Sequence, residues 1–313
     1  MDEFLKLVRM RFVKMDKNNV HDREILNLAV KKNLTKQMDC VELCKIVKET
    51  AKFNPSVALS LTAHHLALQC LKNHAKRDCF FAFAMTEKVG SDVKSIETLA
   101  EDRNGSYVVR GIKNFVTNAE FAEVFVVTAK RGDKVEVFAI ERDGVKTERI
   151  NINCFRGCGI SRVYIDAKIP KENLLGGLRL AISALIKSRV VLASLSLGIA
   201  ERCFEIALSR AKRRGLIENR GIRWRFAEMK AEIEILREFI SRTARDTNAV
   251  NSAICKLKAS ELAKKLADFA VEIFGARGLI AHTPTEILYR YSKSLDIAEG
   301  TCEIMKEIIA STF

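Results

Sequence analysis

The chain has 313 residues, enough for about two domains or three small ones and for a sizeable buried core. At 48% hydrophobic and 29% charged residues the composition is that of a globular protein and excludes a disordered one. Its 53 Lys and Arg against 39 Asp and Glu leave a net charge of +14, which favours an anionic partner: nucleotide phosphates, an acidic protein, nucleic acid or an anionic membrane surface.

Residues 1 to about 78 read as a helical domain. Leu5, Val8, Met10 and Phe12 alternate with Lys and Arg, and this charge mixing excludes a signal-peptide apolar stretch. Asp39-x-x-Glu42 ahead of Leu43, Ile46 and Val47 has the form of a capping box. Asn54-Pro55 supplies an N-cap and a first-turn proline for a helix reaching about Lys72. That helix is apolar nearly all round, the pattern of a central buried helix. Its charge-free run holds Asn54, Ser56, Ser60, Thr62, His64, His65 and Gln69 and is too polar to span a membrane. His64 and His65 read as satisfied core histidines, since no partner stands at metal spacing.

From Cys79 the period changes. Residues 80–86, 107–111, 124–128, 135–140 and 163–165 are short, β-branched or aromatic, and separated by Gly, Asn and Asp. Turns are expected at Arg131-Gly132-Asp133 and Asp143-Gly144. A mostly antiparallel β domain over 79–177 follows, closed by residues 170–177. Over 178–313 helices return: 178–213, 222–247 and 249–274, with shorter ones after Pro284 and Gly300. Long helices with short loops predict an antiparallel bundle. The expected fold class is therefore α+β, mostly α, in three parts: 1–78, 79–177 and 178–313.

The nine cysteines are odd in number and form no CxxC, which reads as reduced thiols in a cytoplasmic protein. Cys40 with Cys44 and Cys154 with Cys158 are spaced by four, but two thiols on a helix turn need two more ligands, so no metal site is expected.

Three segments carry chemistry. Met85-Thr86-Glu87-Lys88-Val89-Gly90-Ser91-Asp92 ends a strand and offers hydroxyls and backbone donors. Gly111-x-Lys113-x-Phe115-Val116-Thr117-Asn118 offers a ring and a hydroxyl on alternate residues. Ala298-Glu299-Gly300-Thr301-Cys302-Glu303-Ile304 offers one carboxylate at a helix junction. Hydroxyls and free helix-start N–H groups suit a polar heterocycle or phosphates. Taken singly, each segment also reads as a turn, a core aromatic or a solvated helix end.

In this order the segments resemble the motifs T-E-P-G-A-G-S-D, G-x-K-x-W-I-T-N and E-G-T-S-E-I of the acyl-CoA dehydrogenase family. Arg156-Gly157, residues 169–176 and residues 273–278 add to the likeness, which runs from about Pro55 to Met305. The resemblance implies non-covalent FAD between the β domain and the bundle. Met85, Thr86 and Ser91 match residues at the flavin and its pyrophosphate, with Ser91 also near the thioester tail. Phe115 stands where the family commonly has Trp beside the isoalloxazine, with Val116 next to it, and Thr117 matches the threonine near flavin N5. Gly300, Thr301 and Glu303 match the segment against the cofactor. Glu272, Phe274, Gly275 and Ala276 match one that reaches the FAD of a neighbouring subunit, which implies a homodimer or homotetramer. Arg189 matches an arginine contacting CoA. Glu299 matches the catalytic base that takes the α proton of an acyl-CoA as it becomes the trans-2-enoyl-CoA. In some relatives the base sits instead at the position of Ser188. The usual electron acceptor is an electron-transferring flavoprotein.

The chain also departs from the pattern. Its first loop is one residue short, the R-x-x-F-G after Arg214 is missing, the N-terminal domain is short, and Ala298 replaces a common Tyr. Two alternatives keep the fold: a flavin oxidase, and a basic, nucleic-acid-associated type for which Lys212, Arg213, Arg214, Arg220, Arg223 and Arg225 would be the contact. The intact Glu299-Gly300-Thr301 disfavours the second. No membrane partner is expected.

Overall fold

A computed structural model describes residues 1–71, 78–88, 90 and 92–313. Ser91, singled out above, lies outside the described residues.

The N-terminal part is α1 (Asp2–Asn18), α2 (Arg23–Lys31), α3 (Cys40–Phe53) and α4 (Pro55–Leu71). Both expected N-cap side chains accept from the first turn of their helices. Asp39 accepts from the Glu42 N–H at 2.9 Å, and Asn54 Oδ1 accepts from the Ser56 and Val57 N–H groups. α4 is buried on almost every face. His64 and His65 are core histidines: their Nε2 atoms meet the Thr35 and Leu34 carbonyls at 2.9 and 2.8 Å. His64 Nδ1 also accepts from the Phe81 N–H at 3.1 Å, tying α4 to the first strand. Burial pushes their pKa values down to about 3 and about 4, so both are neutral.

The middle part is one sheet of β1 (Phe81–Ala84), β2 (Leu99–Arg103), β3 (Ser106–Val116), β4 (Val124–Arg131), β5 (Lys134–Glu141), β6 (Val145–Arg149), β7 (Ser161–Pro170) and β8 (Leu174–Gly177). Among the described residues the order is β6-β7-β3-β2-β4-β5-β8, with β1 also on β4. Most pairs are antiparallel; β1–β4 and the single β2–β4 contact are parallel. The expected Arg131-Gly132-Asp133 turn joins β4 to β5. Three strands fell outside the sequence reading: β2, β6 and β8. They are short and largely exposed or half-buried, so they lack the apolar alternation of the others.

The C-terminal part is α5 (Leu178–Arg213), α6 (Arg220–Arg245), α7 (Ala249–Phe274), α8 (Pro284–Ser294) and α9 (Cys302–Ala310). α5 contains an 18-residue window long and apolar enough to cross a membrane, with mean hydropathy 1.7, and 67% of that window is buried inside the protein. Its apolarity is that of a core helix: Val190 to Ala193, Leu195, Leu197, Ile199 and Ala200 are all at most 1% exposed.

The two helical parts, expected as separate domains, share one hydrophobic core. Phe4, Val8, Val47 and Ala51 from one end of the chain lie in the same cluster as Val190, Leu195, Phe269 and Tyr291 from the other. Gly198 permits the closest approach: a Cβ there would come 2.4 Å from the Lys48 carbonyl oxygen. The sheet keeps its own core on one face and takes α4 and the start of α5 on the other, where Ala181 and Ala184 pack against Val126 and Val137. Among the described residues no cysteine is in a disulfide. Among the described residues no group of three His, Cys, Asp or Glu is placed to hold a metal ion.

Candidate active site

The first two motifs are joined by a buried ion pair. Glu87 turns inward after β1 and is 5% exposed. Its carboxylate accepts from the Glu97 and Thr98 N–H groups at 2.6 and 3.1 Å and from Thr98 Oγ1 at 2.6 Å. Lys113 Nζ, fully buried on β3, donates to Glu87 Oε1 at 2.7 Å, to Thr128 Oγ1 at 3.1 Å and to the Met85 carbonyl at 3.3 Å. Burial pushes the lysine down to about 8, with Glu87 pulling the other way. Burial would raise the Glu87 carboxyl, but Lys113 and Thr98 outweigh it and hold it below the usual range. The Asn114 N–H bonds the Thr86 carbonyl at 2.8 Å, completing the stitch between loop and strand. Gly111 is required here, because a Cβ would sit 2.3 Å from Thr98 Oγ1.

At the end of β3 the ladder is irregular between Lys113 and Val116. Phe115 adopts a left-handed φ of 55° and turns its ring outward, 58% exposed. Val116 is buried and Thr117 half-buried. Asn118, left without a role by the sequence, fixes this turn: its Nδ2 donates to the Ser60 and Phe81 carbonyls at 2.9 and 3.1 Å. Met85 is half-buried and Thr86 exposed.

Glu299 lies in the loop between α8 and α9, also at a left-handed φ of 55°. Ser188 Oγ on α5 donates to its Oε1 at 2.7 Å, and Arg189 Nε donates to its backbone carbonyl at 3.1 Å. Glu299 Oε2 is buried and has no hydrogen-bond partner among the described residues. Burial pushes the carboxyl up to about 7 from a usual 4.5, against the opposing pull of Ser188, Arg189 and Lys256. Gly300 follows at φ 104°. Thr301 caps α9, its Oγ1 accepting from the Ile304 N–H at 3.4 Å. Glu303 is exposed in the first turn, where Thr301 and the helix start keep its carboxyl low.

Arg189, expected at CoA, is 8% exposed with its guanidinium on the Glu299 carbonyl, so in this structure it braces the loop. Ser188 and Glu299 meet here across 111 residues of sequence. Ser188 stands about one turn, roughly 6 Å along the axis, from Ala184, where α5 packs on the sheet.

Glu272, Phe274, Gly275 and Ala276 lie apart from this group. Glu272 is 16 residues beyond Lys256 on α7, about 24 Å along the helix. Its carboxylate pairs with Arg225 at 2.7 Å on the surface, the Arg210 guanidinium lies over Phe274 at 5.7 Å, and Gly275 and Ala276 are exposed.

A helical–β–helical chain with one buried carboxylate pushed up to about 7, beside the helix that packs on the sheet, has the parts of an enzyme with a general base. Family models narrow the class: the acyl-CoA dehydrogenase middle domain matches residues 82–167 and the acyl-CoA dehydrogenase C-terminal domain matches residues 176–313. The chain belongs to the acyl-CoA dehydrogenase family. It is 29% identical to an acyl-CoA dehydrogenase of Bacillus subtilis over 87% of this chain and 82% of that one. It is 30% identical to the mouse mitochondrial short-chain specific acyl-CoA dehydrogenase over 73% of this chain and 61% of that one. Its fold superposes on butyryl-CoA dehydrogenase from Megasphaera elsdenii with a TM-score of 0.91, at 23% identity, covering 99% and 97% of the two chains.

The residues present fit FAD, the cofactor of this family. An exposed aromatic ring held at positive φ beside a half-buried threonine gives a ring system a face to stack on.

Proposed function

We propose that this chain oxidises an acyl-CoA thioester to the trans-2-enoyl-CoA, with Glu299 as the base that takes the α proton. The observation that carries the reading is the Glu299 carboxylate: one oxygen held by Ser188, the other buried and free, and the group poised near pH 7. A base tuned near the operating pH combines an ionised fraction with enough basicity to take a weakly acidic C–H proton. Bound FAD supplies the hydride acceptor. Phe115 would stack on it, and Thr86, Thr117 and the Glu87–Lys113-stitched loop would hold its polar edge. Ser188 orients the carboxylate, Arg189 fixes the loop backbone, and burial keeps water from competing for the proton.

Ala298, next to the base in sequence, presents a smaller side chain than the common Tyr. Butyryl-CoA is the first substrate to test, since a short-chain enzyme and a butyryl-CoA enzyme are among the proteins this chain is similar to. Residues 272–276 would reach the cofactor of a second copy, giving a homodimer or homotetramer. Leu279 and Ile280, 61% and 56% exposed beside that segment, support such a contact. An electron-transferring flavoprotein would take the electrons. Cysteines with no disulfide among the described residues fit a reducing, cytoplasmic setting.

Anaerobic mixing of the FAD-loaded protein with acyl-CoAs of increasing length tests the reading. Bleaching of the flavin band is expected with at least one of them. Glu299→Gln should slow it by ~10²–10⁴-fold while FAD and acyl-CoA binding persist. Unchanged bleaching in that variant would remove Glu299 from the chemistry.

A further inference from the structure

Among the described residues two lysines are buried, Lys113 and Lys256, at 0% and 1% exposure. Lys113 pins the loop of the first motif. Lys256 stands in the corresponding place behind the loop that carries Glu299. Other lysines of α7 make ordinary surface pairs: Lys258 with Glu261 and Lys265 with Glu232, all four side chains at least 44% exposed. Lys256 instead sends its Nζ to the backbone carbonyl of Asp296 at 2.9 Å. The same carbonyl accepts the Cys302 N–H at 3.0 Å, so residues 296–302 form a loop closed at its base with Glu299 near its tip. The Asp296 carboxylate is held as well, with Lys264 at 2.7 Å, Lys293 at 3.0 Å and the Cys302 thiol at 3.5 Å. Lys256 Nζ lies 3.9 Å from the Cys302 sulfur.

We propose that Lys256 is a positioning residue for the base: it closes the Glu299 loop from behind through Asp296 and provides a buried positive charge that keeps the Glu299 carboxylate ionisable. The inference rests on Glu299 being the base. A buried ammonium is costly unless paired, and here it is spent on a backbone carbonyl rather than on a carboxylate, which leaves its charge free to act on its surroundings. Each element packed around the loop carries charged or titratable groups: Arg189, beside Ser188, on α5, Lys256 on α7, Cys302 and Glu303 at the start of α9, and Asp296 in the loop itself with its partners Lys264 and Lys293. Asp296 already has Lys264 and Lys293 as partners. Arg189 and Lys256 each bond a loop carbonyl and each leave a positive charge near the base, Arg189 from the α5 side and Lys256 from behind the loop. Removing Lys256 takes away the rear charge and shifts the carboxylate toward its protonated form.

The test uses the FAD-loaded enzyme, wild type, Lys256→Met and Lys256→Gln. Flavin reduction by butyryl-CoA is followed anaerobically from about pH 5.5 to about pH 9. Amide exchange in residues 296–302 is read without substrate. Both variants should move the acid limb of the rate profile to higher pH, losing at least about threefold more rate on the acid side than on the alkaline side. Lys256→Gln keeps a donor for the Asp296 carbonyl and should leave exchange slow, whereas Lys256→Met should quicken it about tenfold. A purely structural lysine would quicken exchange and leave the limb in place, and that result overturns the proposal. Failure of both variants to fold with FAD would mark Lys256 as a core support and overturn it equally. If wild type bleaches with no acyl-CoA, or Glu299→Gln still bleaches, the base assignment has failed instead.

Discussion

Holding a carboxylate out of water before substrate arrives costs stability, and the cost depends on pH. The Glu299 carboxyl is raised from 4.5 to about 7 by burial, so the folded protein prefers it protonated. That preference contributes fully below pH 4.5 and is lost as pH rises through about 7. Glu299→Gln cannot ionise and escapes the loss, so it should gain on the order of 3 kcal/mol over wild type at pH 8 and nothing at pH 4. Melting curves at the two pH values check this, and an equal difference at both would mean a solvated carboxyl. Glu299 is legible in the sequence because Glu-Gly-Thr at a helix junction is a local pattern. Its partners are not. Ser188 stands 111 residues away, and Lys256 reads as one more charge on a lysine-rich helix until the structure shows it buried.

Elements follow the same division between local and non-local information. Helices with their own caps, such as α3 and α4, are legible to within a few residues because the capping side chain sits inside the segment it starts. Strand β2 is not, since Leu99–Arg103 has one buried residue and gains its identity by pairing with β3 and, at Leu99, with β4. The stitch between β3 and the first-motif loop is likewise invisible in sequence, though Glu87 and Lys113 both lie in quoted motifs. Lys113→Met strands Glu87 as a buried charge and should cost about 3–5 kcal/mol, with loss of FAD. Adding Glu87→Gln should recover part of that loss, and urea unfolding of the single and double variants measures it. Gly111→Ala should push Thr98 away from β3, destabilising by about 1–3 kcal/mol and loosening FAD, as a fluorescence titration of free flavin would report.

At the scale of the molecule, the proposed second copy has apolar surface outside the site to meet. Leu279 and Ile280 lie exposed just past the Glu272–Ala276 positions, with Trp224 and Ile235 exposed on α6. A double change, Leu279→Glu with Ile280→Glu, should shift a dimer or tetramer toward monomer in light scattering and release FAD with it, while helix content stays. A wild-type protein that is monomeric when loaded with FAD would end the idea of a shared cofactor site.

The shared core of the two helical parts bears on how the chain is made. α4 leaves the ribosome roughly 100 residues ahead of α5, which at ~5–20 residues per second is an interval of several seconds. Through it an all-round apolar helix waits for the partner that covers it, while the sheet between can pair its strands. Translation pauses after β8 should therefore lengthen contact with holdase chaperones, and synonymous codons that speed residues 79–177 should raise soluble yield without altering the protein.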